Sequence, residues 1–393
     1  MLEYLPEQSP DGILQLMQQL RADPRPHTVD LGVGVYRDAS GNTPVMRAVR
    51  QAQERLNSTE TTKTYTALEG DSAFLSAMQT LVLDDERGAH IAAIATPGGT
   101  GAVRLGFDLV RMAWPDARVF HTDPTWANHL SILAYLGMEA VPFRYFDAAS
   151  HGIDMDGMLQ DLAQLREGDV VLLHGCCHNP TGADLNATGW QALIRAINAA
   201  GAVPMIDLAY LGLGDGIDAD AAGLRAVCAA CPEVLIAVSC SKNFGLYRER
   251  VGALLVQAPD ARAQRLAQGA MTHLNRQTYS FPPDHGARLA QMVLDDPALC
   301  RDWQDELAEM RGQITALRGA LAAALRARSN SDRFDFITAH RGMFSMIGAS
   351  PAQVTQLRED HGIYMTRDAR INIAGLGVDD VPHLARAMLD VGL

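Results

Sequence analysis

Two lysines, Lys63 and Lys242, stand in this chain against 31 arginines. A guanidinium stays protonated and does not condense with an aldehyde, so in a chain that uses arginine as its general cation a retained lysine marks a need for a primary amine. Lys242 lies in SCSKNFGLYRER (239–250), just beyond the apolar run Val234 to Val238. Burial at a strand end lowers an ammonium pKa toward the neutral, nucleophilic form, which makes Lys242 the leading candidate for a covalent anchor. A solvated lysine at a strand end is the plain alternative.

Arg250, with the hydroxyls of Ser239 and Ser241, can hold an anion. The GGTG turn at 98–101 opens a helix whose free N–H groups and positive dipole end suit the same kind of ligand. The turn has the spacing of neither a dinucleotide fingerprint nor a P-loop. Asp207 closes another apolar run, where a carboxylate either caps a helix or pairs with a cation. Pyridoxal 5′-phosphate carries such a cation in its ring nitrogen and is held by a lysine Schiff base with an acidic partner. Asn179 and Tyr210, at neighbouring strand ends, can donate to a ring oxygen. Trp126 can stack on a ring face or simply fill core. HGCCH (174–178) offers four soft ligands in five residues, too crowded to close one tetrahedron, and no second Cys/His cluster supplies paired spacing, so no metal is expected. Cys228 and Cys231 follow a helical run and are expected to pack as small hydrophobes.

The elements that must position these residues follow a repeating pattern from about residue 90: a short apolar run, a small or polar segment, then an amphipathic helix. Residues 91–95 lead into the 98–101 turn and a helix through Arg111, and Val119 and Phe120 lead into HTDPTWANH (121–129). Residues 170–173 lead into HGCCHNPTG (174–182), 202–206 end at Asp207, and 234–238 end at Ser239. Alternation of this kind predicts an α/β fold with a mostly parallel central sheet flanked by helices, and ligands in such sheets sit beyond the carboxyl ends of the strands. Upstream, the spacing predicts a helix over 12–22. Val29 to Tyr36 then carries Gly32 and Gly34, either as a glycine-containing strand or as a ligand-facing loop. Downstream, Trp303, Leu307, Met310, Ile314, Leu317 and Leu321 place one apolar stripe on a long helix over 301–328. Strands at 334–337, 343–347 and 370–373 with helices at 351–360 and 380–391 predict a smaller α+β domain. The expected division is a large domain over 44–309 and a small domain made of 1–43 and 310–393.

At 393 residues, 48% of them hydrophobic, the chain has material for two cores. A net charge of −13 argues against nucleic acid as a partner. No apolar run reaches the ~18 residues of a membrane span. Glu3, Glu7 and Asp11, with no basic or apolar region beside them, do not read as a secretory signal. Six irregularly spaced cysteines do not suggest a disulfide framework, and a cytoplasmic location is expected.

Residues 239–250 and 174–182, with YSFPP (279–283) and RINIAG (370–375), resemble the class I, fold-type I aminotransferases of the aspartate and aromatic amino acid subgroup over nearly the whole chain. The resemblance implies pyridoxal 5′-phosphate as cofactor. Lys242 would anchor it and shuttle a proton, Asp207 would pair with the ring nitrogen supported by His129, Asn179 and Tyr210 would bind the ring oxygen, and Trp126 would stack. Gly99, Thr100, Ser239, Ser241 and Arg250 would hold the phosphate. TTKTY (61–65) is similar to the family's intersubunit segment, which implies a homodimer in which Tyr65 of the partner subunit reaches the phosphate. Arg370 would clamp the substrate α-carboxylate with Gly34 and Asn179, and Arg276 of the partner subunit would meet a dicarboxylate side chain. Phe281 and Leu213 depart from the aspartate-specific pattern, Gly98 replaces a phosphate-binding serine of some relatives, and 276–283 is most similar to bacterial aromatic amino acid aminotransferases. The implied activity is transamination of phenylalanine, tyrosine, aspartate and glutamate with 2-oxoglutarate; a strictly aspartate-specific enzyme is the alternative.

Overall fold

The computed structural model describes residues 1–7, 12–84 and 90–393; Asp11 lies outside them. Seven strands form one sheet in the order Ile91–Pro97, Val251–Gln257, Val234–Ser239, Val203–Leu208, Val170–His174, Arg118–Asp123 and Glu139–Arg144. Five consecutive strands of that order are parallel to one another, as the alternating pattern predicts. Their inner members are apolar on both faces because helices cover both, which leaves two buried clusters on opposite sides of the sheet. Register brings His174 opposite Asp207, and Asp207 opposite Ala237. The polar residues at the strand ends therefore share one edge.

Val251–Gln257 was not among the expected strands. It runs antiparallel to both neighbours, Val234–Ser239 and Ile91–Pro97. Its run of Val, Ala and Leu is buried on both faces, so it shows no alternation to set it apart from a buried helix segment. The consequence is local and large: the chain leaves the sheet at Ser239, turns through Lys242 and returns at Val251, so Arg250 is brought back beside the serines.

Helix Pro297–Ser329 is longer than the stripe suggested. Asp296 caps it, accepting from the N–H groups of Ala298 and Leu299, with Pro297 in the first turn. Trp303, Leu307, Met310, Ile314, Leu317 and Leu321 are all buried. Trp303 donates its indole N–H to the carbonyl of Asn243 at 2.7 Å and stacks on Phe244 at 4.6 Å, which ties the loop next to Lys242 to this helix.

The expected helices near 12–22, 351–360 and 380–391 are Gly12–Ala22, Pro351–His361 and Val381–Asp390. Two expected strands are Phe344–Met346 and Arg370–Asn372, an antiparallel pair. The expected strand at 334–337 is wrong. Phe336–Ala339 is a short helix, because Phe334 and Ile337 are three apart and face the core from one side of a turn rather than alternate faces of a strand. In the glycine segment only Val29–Asp30 is strand; it pairs in parallel with Ile363–Tyr364, joining the N-terminal segment to the C-terminal part. Among the described residues, no helix is long and apolar enough to cross a membrane.

Candidate active site

A cavity of about 240 Å³ opens at the carboxyl edge of the sheet. Its lining includes Gly34, Gly99, Thr100, Trp126, Asn179, Asp207, Tyr210, Ser239, Ser241, Lys242, Arg250 and Arg370. Every expected cofactor or substrate residue of this subunit is therefore in one place, while Tyr65 and Arg276 are not.

Lys242 is its only lysine. Burial pushes the amine below its ordinary value; the Asp207 carboxylate opposes that shift, and the Arg250 and Arg370 charges add to it. Lys242 Nζ sits 5.0 Å from the centre of the Tyr210 ring. Burial raises the Tyr210 phenol above its usual range, so it stands as a neutral O–H donor at neutral pH.

Asp207 is buried, which by itself would push its pKa up. The hydrogen bond from His129, with the electrostatic influence of the surrounding His129, His174 and Lys242 side chains, outweighs burial and leaves it below the usual carboxylate value. His129 Nε2–H donates to Asp207 Oδ2 at 3.0 Å, and Thr125 Oγ–H donates to His129 Nδ1 at 2.9 Å. The chain from threonine to carboxylate fixes the imidazole tautomer and keeps Asp207 ionised inside an apolar sheet. A buried carboxylate held ionised is a partner for a cationic or N–H-bearing ligand.

Ser239 and Gly99 meet closely: a Cβ added at Gly99 would lie 2.8 Å from Ser239 Cβ. Helix Gly98–Ala113 thus begins against the serine, and its first-turn residues Gly99 and Thr100, whose N–H groups have no partner within the helix, line the cavity. Arg250 Nη1 donates to Ser241 Oγ at 3.4 Å and to the Tyr247 carbonyl at 2.9 Å. Serine hydroxyls, a guanidinium and a helix N-terminus together make an anion cradle.

On the other side, Arg370 Nη1 donates to Asn179 Oδ1 at 3.2 Å and Nη2 to the Gly32 carbonyl at 2.7 Å; Nε is buried without a partner. Gly34 lines the cavity, so the glycine segment is the ligand-facing loop of the two alternatives. A Cβ there would lie 2.9 Å from the tip of the Phe344 ring. The Phe344 ring in turn supports Arg370, whose guanidinium carbon is 4.3 Å from the ring centre. Burial lowers the Arg370 pKa, yet the group remains a cation with a free edge for a carboxylate.

Five lining residues carry no role in the motifs above: Phe344, Tyr247, Ala209, His174 and Ile13. Tyr247 lies inside the 239–250 motif, and its hydroxyl accepts from the Tyr36 N–H at 3.1 Å. His174 ends a strand in register with Asp207, a signal available only once the strands are paired. The HGCCH side chains split into two groups, the His174 and His178 rings 4.4 Å apart in one and the two cysteines in the other. His174 faces His129 at 5.3 Å, Cys176 and Cys177 group with Asp220, and both nitrogens of His178 are engaged by Thr122 and Thr181. Cys228 and Cys231 are buried, and burial raises both thiols.

Tyr65 is 81% exposed and stacks on Phe281 with ring centres 4.8 Å apart. The Arg276 guanidinium lies 5.8 Å from the same Phe281 ring. Tyr65, Phe281 and Arg276 form one surface cluster.

The family pattern "Aminotransferase class I and II" matches residues 26–388. An aromatic-amino-acid aminotransferase of Paracoccus denitrificans is 54% identical over 100% of both chains, and an aspartate aminotransferase of Escherichia coli is 39% identical, also over 100% of both. A solved structure of an aromatic-amino-acid aminotransferase from Burkholderia pseudomallei, described as covalently bound to pyridoxal phosphate, superposes with a TM-score of 0.96 at 38% identity, covering 100% of this chain and 99% of that one.

Proposed function

The chain belongs to the class I and II aminotransferases, and on that premise we propose that it transaminates both aromatic and dicarboxylic amino acids, namely phenylalanine, tyrosine, aspartate and glutamate, with 2-oxoglutarate as amino acceptor and pyridoxal 5′-phosphate as cofactor. The observation that carries this reading is the cavity itself, in which one buried lysine, one ionised buried carboxylate and two separate arginine sites converge.

The cavity fits that cofactor. The anion cradle of Gly99, Thr100, Ser239, Ser241 and Arg250 suits a phosphate, Asp207 suits a ring nitrogen that carries a proton, and Tyr210 and Asn179 suit a ring oxygen. Trp126, edge-on to His129 at 5.1 Å, is fixed as one wall. When bound, the cofactor supplies a carbonyl for amine condensation and a ring that withdraws electrons from the substrate α-carbon.

The protein's own groups do the rest. Lys242 Nζ, its pKa lowered by burial, would hold the cofactor and is the amine placed to take a proton from the substrate α-carbon and return it to a neighbouring atom. Asp207, kept ionised by His129, stabilises positive charge at the far side of the cavity. Arg370 and Asn179 would orient the α-carboxylate in the same cavity as Lys242.

The Tyr65, Phe281 and Arg276 cluster supports a homodimer in which Tyr65 and Arg276 of the partner subunit complete the cavity. Lys63 stands in the same exposed segment, ion-paired with Glu60. The pairing of Val29–Asp30 with Ile363–Tyr364 supports a small domain of 1–43 and 310–393 beside a large domain of 44–309. Six unpaired cysteines support a cytoplasmic enzyme.

Comparing kcat/KM for phenylalanine and for aspartate tests the substrate range. Values within a factor of about a hundred are expected; an aromatic value some thousandfold lower, roughly 4 kcal/mol of discrimination, makes the enzyme aspartate-specific.

A further inference from the structure

Arg318 is buried within helix Pro297–Ser329, yet the hydrogen bonds it makes go to neutral oxygens. Nη1 donates to the Ile337 carbonyl at 3.1 Å and Ser345 Oγ at 2.6 Å, and Nη2 donates to the carbonyls of Arg341, Gly342 and Phe344 at 3.3, 2.8 and 2.6 Å. A buried guanidinium is costly unless its donors are satisfied; Nε has no partner here, and one segment, 337–345, engages both terminal nitrogens. That segment includes Phe344, the ring under Arg370.

The bonding continues in one direction. Ser345 Oγ accepts from Arg318, and its O–H donates to His340 Nδ1 at 3.0 Å. His340 Nε2–H then donates to the His151 carbonyl at 2.8 Å. His340 is buried, and burial pushes its pKa down to about 4, so it is neutral with one acceptor and one donor nitrogen. The same segment is pressed on the loop that carries Asn179: Arg341 N–H donates to the Gly182 carbonyl at 2.8 Å, and a Cβ at Gly182 would lie 3.0 Å from His340 Cβ. Phe344 is paired with Asn372, two residues along from Arg370 on the same face of the strand. Displacing the segment thus moves the ring beneath Arg370.

We propose that Arg318, Ser345 and His340 form a buried hydrogen-bond relay that positions Phe344 as the platform for Arg370, making them positioning residues for carboxylate binding. The proposal rests on Arg370 as the carboxylate clamp. No member of the relay lines the cavity, so its effect passes through Phe344.

The test uses the cofactor-loaded enzyme and two probes that carry carboxylates but no amine, 3-indolepropionate and succinate, titrated through the cofactor absorption band. His340→Gln keeps one acceptor and one donor, whereas His340→Met keeps bulk and neither; Ser345→Ala removes a single hydroxyl and serves if His340→Met does not fold. Expected are dissociation constants of both probes raised about tenfold in His340→Met and Ser345→Ala, with substrate KM rising in step and kcat within about twofold, and near wild-type values in His340→Gln. In a Phe344→Leu background the Ser345→Ala effect should vanish. Wild-type affinity in both Met and Ala variants, no rescue by glutamine, or full additivity with Phe344→Leu overturns the relay. If the unaltered enzyme binds neither probe, it is the Arg370 clamp that fails, and the relay with it.

Discussion

The Arg250 guanidinium fills the space that a side chain at position 98 would need. A Cβ at Gly98 would lie 2.8 Å from Arg250 Cζ, and Gly98 has a φ of +74°. The anion cradle in this chain is therefore built with the arginine packed over a bare backbone.

Gly98→Ser should displace the arginine rather than unfold the protein, since the guanidinium is the mobile end of its side chain. Cofactor affinity is expected to fall about tenfold, with a stability loss of about 1 kcal/mol from the positive φ. Dissociation constants for pyridoxal phosphate, measured by dialysis and fluorescence, check this; an equal or tighter constant would show that serine contributes a contact of its own.

Lys242→Ala should abolish turnover and the visible absorption band of the covalently held cofactor, while the cradle retains it noncovalently. Absorption spectra and single-turnover assays decide the matter. Retention of both band and turnover would remove Lys242 from the centre of the site.

A pH dependence follows from the same amine. Burial holds Lys242 below its ordinary 10.5, and Asp207 resists that shift. Cofactor capture by the apoenzyme should therefore rise with pH along a limb below 10.5. Asp207→Asn removes the charge that favours the ammonium, so the limb should move to lower pH. A limb unmoved or shifted upward would contradict the coupling.

Arg276→Ala should reduce kcat/KM for aspartate at least a hundredfold, about 2.7 kcal/mol, and for phenylalanine much less, because only the dicarboxylate presents a second anion. Equal losses would count against a side-chain role. Mixing Arg276→Ala with Lys242→Ala subunits tests the shared site: hybrid dimers should hold one site lacking both groups and one intact.

Much of the site is legible in the sequence because its chemistry is concentrated in contiguous strings. Lysine's rarity singles out Lys242, and the apolar runs before Asp207, Asn179 and Ser239 place them at strand ends, since buried parallel strands need unbroken apolar stretches while the residues just past them are free to be polar. What tertiary structure alone decided depends on distance in space between residues remote in sequence. The antiparallel return of Val251–Gln257, invisible to periodicity, carries Arg250 onto Ser241 and over Gly98. Phe344 reads as ordinary core until Phe344–Met346 pairs with Arg370–Asn372 and sets its ring under a guanidinium. Arg318, which the sequence does not single out, gains its meaning only when folding gathers its acceptors onto one segment, 337–345. Composition and local spacing determine which groups are available and which elements form; pairing register and packing determine which of those groups meet, because a contact between distant residues leaves no periodic trace along the chain.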